Sequence, residues 1–198
     1  MNRFQSILHR ASRDLAELRY SWALVGGLAV SARTEPRFTR DVDLAIAVTG
    51  DADAERAIGG LHGRGYRVHA VIEQEAAGRL ATTRLIPPGE DPSGTVLDVL
   101  FASSGIEPEI VAAAEALDVL PGLVVPVATI GHLIALKLLA RGDRTRPQDR
   151  GDLVALIRAA APGDVEQARS AVALIHNRGF ARGRDLAGAL DDLLREQR

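Results

Sequence analysis

The sequence predicts an α/β fold followed by a smaller C-terminal helical region, and three observations carry that reading. Short apolar runs of strand length, such as WALV at Trp22 and TVLDVLF at Thr95, alternate with helical patterns through residues 1–125. From about Pro126 the pattern turns wholly helical through residues 126–198, in TIGHLIALKLLARG, QDRGDLVALIRAA, GDVEQARSAVALIHN and GRDLAGALDDLLREQ. A chain of 198 residues with 46% hydrophobic content can bury a sizeable core, as one domain or as a domain with a helical appendage.

Taken in order, Arg3 to Tyr20 carries Phe4, Ile7, Leu8, Leu15 and Leu18 at helical spacing and predicts an opening amphipathic helix. WALVG predicts a strand, and GGLAVSAR resumes as a short helix after Gly26 and Gly27. DVDLAIAV alternates and then becomes apolar throughout, as a strand entering a core does. Asp51 to His62 predicts a helix stopped by the glycines of GGLHGRG. YRVHAVI, GRLATTRLI and TVLDVLF then predict three strands, with a PPGEDPSG turn before the last. There is no internal repeat, low-complexity tract or heptad run.

Composition narrows the function. A net charge of -2 excludes a surface coated in basic residues, so contact with RNA or phosphate must be local. The chain has no cysteine, which excludes disulfides and thiolate metal sites, and no apolar run reads as a signal peptide or membrane span. A cytoplasmic protein is expected. Of the 24 basic residues all but Lys137 are arginine.

The chemistry concentrates in RFTRDVDLAIAV. On a strand Asp41 and Asp43 share a face while Val42, Leu44 and Ile46 turn to the core. Two carboxylates side by side repel, and a divalent cation relieves them; magnesium takes such oxygen ligands together with substrate phosphates. Asp98 interrupts LDVLF on the face opposite Leu97, Val99 and Phe101. If its strand neighbours the DVD strand, three carboxylates converge as a metal-assisted displacement at phosphorus requires, and Asp98 can take the proton of an attacking hydroxyl. Gly26 and Gly27 follow a strand and open a helix, where backbone N–H groups approach a phosphate closely. Each of these has a plainer reading: a solvated strand end, an exposed polar position, a tight turn, a loop decorated by Arg37 and Thr39. Asp149 and Asp152 can cap the helix at QDRGDL, and the cluster Arg141, Arg144, Arg146 and Arg150 grips a nucleotide or RNA backbone, or is a solvated helix end. His132, on an apolar helix, reads as a satisfied core residue. Lys137, Arg141 and Arg144 lie on one helix face with no acidic partner within that helix, an arrangement that calls for an anion such as a triphosphate.

The order Gly26-Gly27, then Arg37, Thr39, Asp41 and Asp43 as RxTxDxD, then Asp98, then KLLARGDRTRPQDRGDL with Lys137, Arg144, Asp149 and Asp152, resembles the polymerase-β-like nucleotidyltransferases, most closely the AbiEii/AbiGii toxin group. The resemblance implies a mixed-sheet catalytic domain, Mg2+, and transfer of a nucleoside monophosphate from an NTP with release of pyrophosphate. It implies Asp41, Asp43 and Asp98 as the metal-holding carboxylates. It likewise implies that Gly26 and Gly27 with Lys137 and Arg144 hold the triphosphate, and Arg37, Thr39, Arg141 and Asp149 complete the expected nucleotide-binding set. Such proteins are toxins of toxin-antitoxin pairs, some acting on the acceptor end of tRNA, so RNA and a cognate antitoxin are the expected partners. A small-molecule acceptor of antibiotic type, or a non-catalytic nucleotide-binding or antitoxin-interacting module, are the competing readings.

Overall fold

The computed structural model describes residues 3–37, 39, 41–74, 78–140 and 147–197. Helix α1 (Arg3–Glu17) buries Ile7, Leu8, Ala11 and Leu15, the stripe its spacing predicts. Then follow β1 (Trp22–Val25), α2 (Gly26–Arg33), β2 (Val42–Ile46), α3 (Asp51–His62), β3 (Arg67–Gln74), β4 (Arg79–Ile86) and β5 (Leu97–Leu100), in the expected order. The next three elements were not expected from the sequence: a short helix α4 (Glu107–Ala112) and the hairpin β6 (Glu115–Leu120) with β7 (Leu123–Val127). Pro126 stands inside β7, and a proline ordinarily argues against an internal strand. Here the ladder to β1 forms at Val127, one residue past it.

The strands make one seven-stranded mixed sheet in the order β3-β4-β5-β2-β1-β7-β6. β2 runs parallel to β5 and β1 parallel to β7, whereas β1/β2, β3/β4, β4/β5 and β6/β7 are antiparallel. The central strands are apolar nearly throughout because they are covered on both faces: every residue of β1 is buried, as are four of the five in β2. The edge strand β3 is the opposite case, exposed along most of its length.

Among the described residues four helices follow: α5 (Ile130–Ala140), α6 (Pro147–Ala159), α7 (Pro162–Asn177) and α8 (Leu186–Glu196). Helix α5 buries Leu133, Ile134, Ala135, Leu138 and Leu139 and packs on α2, α6, α7 and α8. A Cβ at Gly131 would come within 2.6 Å of the Asp164 carbonyl oxygen, so the close approach of α5 to α7 depends on that glycine. One apolar core joins residues of the sheet to residues of these helices, Val99 and Ile175 among them. Among the described residues no helix is long and apolar enough to cross a membrane.

Candidate active site

The parallel pairing of β2 with β5 sets Asp43 beside Asp98, and the antiparallel pairing with β1 sets Val25 on its other side. Asp41 stands immediately before β2. Val42, Leu44 and Ile46 are buried, so the alternation that sends them inward turns the two aspartates to the other face. The strand bearing Asp98 is therefore the neighbour of the DVD strand, the adjacency that convergence of the three carboxylates requires.

Both glycines of the Gly-Gly pair make room for this cluster. Gly26 lies at φ +66°, and a Cβ there would overlap the Asp43 carboxylate. A Cβ on Gly27 would come within 2.7 Å of Arg37 Nη2 and 2.9 Å of Thr39 Oγ1. Gly26→Ala should accordingly cost about 1–2 kcal/mol from the left-handed backbone alone, and displacement of Asp43 should remove transfer as well. Urea unfolding and a transfer assay read the two effects, and a stable, fully active Gly26→Ala protein would exclude the close packing as a requirement.

Burial raises the Asp43 pKa to about 7, with the charges of Asp98 and Asp41 acting in the same direction and Lys137 and Arg84 opposing. Arg84 is a residue the sequence reading missed. It sits on β4 opposite Asp98 and grips that carboxylate with two bonds, Nε to Oδ1 at 2.8 Å and Nη2 to Oδ2 at 2.6 Å. The bidentate bond holds Arg84 cationic more firmly than an ordinary arginine. Its only sequence signal is a charge in ATTRLI at the positions that alternate with buried Ala81, Thr83 and Leu85, and the partner across the ladder is not legible there.

A second charged cluster closes the other side. Lys137 Nζ lies 2.9 Å from Asp149 Oδ1 and 2.7 Å from Asp152 Oδ2. Arg37 meets Asp152 twice, Nε to Oδ1 at 2.6 Å and Nη2 to Oδ2 at 2.7 Å. Lys137 thus has acidic partners, supplied by α6 and invisible within its own helix, which corrects the argument that its stripe lacks an anion. The carboxylates of Asp149 and Asp152, both buried, turn to Lys137 on α5, and that of Asp152 to Arg37 as well, partners beyond the helix-capping role the sequence also allows. The second oxygen of Asp149 is buried with no hydrogen-bond partner among the described residues. Arg141, Arg144 and Arg146 lie outside the described residues; Arg150 is exposed and pairs with Glu196. His132 is a core residue as expected, buried with Nδ1 2.9 Å from Thr129 Oγ1.

Among the described residues no three Asp, Glu, His or Cys side chains form a group that could hold a metal ion together. Both oxygens of Asp98 accept from Arg84. Asp41 and Asp43 remain a hard-oxygen pair of the kind magnesium accepts, and a cation beside them offsets the repulsion that raises Asp43.

Comparison with known proteins gives a consistent result. The family described as Nucleotidyl transferase AbiEii toxin, Type IV TA system, matches residues 7–198. No curated protein sequence matches. An antigenic nucleotidyltransferase-like protein from Paracoccidioides brasiliensis is similar in structure with a TM-score of 0.52 and 20% identity, over 94% of this chain and 91% of that one. ANT(2")-Ia in complex with adenylyl-2"-tobramycin is similar with a TM-score of 0.55 and 17% identity, over 89% of this chain and 99% of that one. At these identities the likeness is one of fold, and it is the nucleotidyltransferase fold.

Proposed function

The chain belongs to the AbiEii nucleotidyl transferase toxin family, and from that premise we propose that it transfers a nucleoside monophosphate from an NTP to a hydroxyl at an RNA end, tRNA being the leading candidate. The observation that carries this reading is the register of Asp43 against Asp98, with Asp41 one step away and Gly26 packed against the Asp43 carboxylate. Asp41 and Asp43 would hold Mg2+, which when bound supplies charge neutralisation at the triphosphate. The family's membership in toxin-antitoxin systems makes a cognate antitoxin the expected protein partner, and the cytoplasm the expected location.

In this mechanism the acceptor oxygen forms a bond to the α-phosphorus as the bond to pyrophosphate breaks, and the protein contributes position and charge. Asp98 accepts the hydroxyl proton on a lone pair that its two bonds to Arg84 leave available. Gly26, Gly27, Arg37, Thr39, Lys137, Arg141, Arg144 and Asp149 serve the nucleotide, with the helical region 126–198 contributing Lys137. Asp98→Asn fills the same space yet cannot take a proton, so turnover should fall while NTP binding persists. Equal loss of both would make Asp98 chiefly a ligand or structural group.

The reaction itself is tested by incubating the protein with each α-labelled NTP, magnesium and total cell RNA. Label on tRNA supports the reading. Label on a small hydroxyl compound shifts the acceptor to the antibiotic type, and label on nothing favours a non-catalytic module.

A further inference from the structure

The site face of the sheet does not end at the carboxylates. Strand register extends it outward in two rows: Asp43, Asp98, Arg84 and Ala70 in one, Ala45, Leu100, Thr82 and Ile72 in the next. Paired residues on neighbouring strands share a face, and so do residues two apart on one strand, so all eight look the same way. Cover falls away along the second row: Ala45 is buried, Leu100 and Thr82 are half-buried, and Ile72 is 54% exposed at the sheet edge. The result is a shelf that starts at the catalytic carboxylates and opens towards β3. Three interstrand steps of about 4.8 Å separate β2 from β3, roughly 14 Å, enough for a nucleotide.

The opposite flank is already occupied by charge. Arg37, Lys137, Asp149 and Asp152 crowd it and belong to the nucleotide side in the proposed reaction. On the shelf beyond the carboxylates Arg84 is the only charged member of the two rows, with its side chain 40% exposed. Asp98 takes two of its five N–H groups, leaving the others pointing away from that carboxylate. Such a guanidinium can bridge a carboxylate to a phosphate. Its charge selects against a polycationic acceptor and in favour of one carrying a phosphate. Leu100, Thr82 and Ile72 then supply an uncharged surface of the kind a base or ribose covers.

We propose that this shelf is the acceptor site: the last nucleotides of an RNA lie along β5, β4 and β3, with the terminal hydroxyl at Asp98, the adjoining phosphate on Arg84, and the base against Leu100, Thr82 and Ile72. This rests on the RNA-acceptor reading above and adds where the RNA lies and which phosphate contact orients it. The contact with Arg84 also keeps Asp98 in place for chemistry, because the guanidinium can hold the carboxylate through Nε and Nη2 while its remaining N–H groups take the phosphate.

The test uses the whole protein, with Arg84→Gln, Arg84→Lys and Ile72→Asp variants checked for unchanged thermal unfolding. With RNA as acceptor, Arg84→Gln should raise KM for RNA about tenfold or more, and the slope of log KM against log salt should fall by about 0.7 to 1, as for one lost phosphate contact. Arg84→Lys should restore part of both. Ile72→Asp, remote from the NTP, should raise KM for RNA by repelling the backbone while leaving NTP affinity unchanged in an acceptor-free titration. A wild-type KM and salt slope in Arg84→Gln and Ile72→Asp would overturn the shelf while leaving the acceptor reading intact. So would loss of NTP affinity with KM for RNA unchanged, which would move Arg84 to the triphosphate. Transfer by the unaltered protein to a small hydroxyl compound and not to RNA would overturn both.

Discussion

Asp43→Ala should reduce nucleotidyl transfer by about a thousandfold or more, equivalent to roughly 4 kcal/mol of transition-state stabilisation, with the fold retained. In the proposed reaction the side chain is a metal ligand, and it is no part of the apolar core, since its face of β2 is the one opposite buried Val42, Leu44 and Ile46. Its electrostatics give a second, independent readout. The folded protein holds this carboxyl near 7 against 3.8 for the ordinary group, so the protonated form is the one folding favours. The stability it lends is complete below about pH 4 and is lost as pH rises through about 7. Metal-free protein should therefore weaken across that window, whereas Asp43→Asn, which cannot ionise, should not. Magnesium at pH 8 should restore stability to the wild-type chain and leave Asp43→Asn unmoved. Thermal unfolding across pH with and without magnesium measures both, and near wild-type transfer by Asp43→Ala would sink the assignment.

Asp152→Ala should produce the largest loss of stability among the polar substitutions. The carboxylate is 3% exposed on its side chain and anchors two cations from different parts of the chain, Arg37 before β2 and Lys137 on α5. Removing it takes away the carboxylate that Arg37 and Lys137 share and leaves Asp149 to balance Lys137, a loss of up to about 3–5 kcal/mol, the scale seen where buried pairs have been broken. For a chain of this size that corresponds to a fall in Tm of roughly 6–20 °C. Asp149→Ala should cost less, because among the described residues Asp149 bonds Lys137 through one oxygen and its other oxygen has no partner. If Asp152→Ala melts within about 2 °C of the wild-type protein, the network does not hold α6 in place.

Much of this architecture was legible before any coordinates. The period-two run through DVDLAIAV told both that a strand enters the core there and that Asp41 and Asp43 share its far face. The glycine pair announced a strand-to-helix turn, and TVLDVLF announced a strand with one carboxylate in it. What stayed hidden has a common character. The β6–β7 hairpin carries a proline that local rules count against a strand, and pairing with β1 overrides those rules. Asp152 looked like a helix cap because a sequence shows only neighbours within one helix, whereas its partners lie 115 residues upstream at Arg37 and on a different helix at Lys137.

The sequence by itself determined the order of elements from α1 to β5 and which side chains of the DVD strand leave the core, since both follow from the alternation of apolar residues along a single element. Only the tertiary structure decided who stands opposite whom: Asp43 beside Asp98, Arg84 across from Asp98, Lys137 between Asp149 and Asp152. Charge pairing acts over a few ångströms in space and is indifferent to distance along the chain, so local spacing carries no record of it.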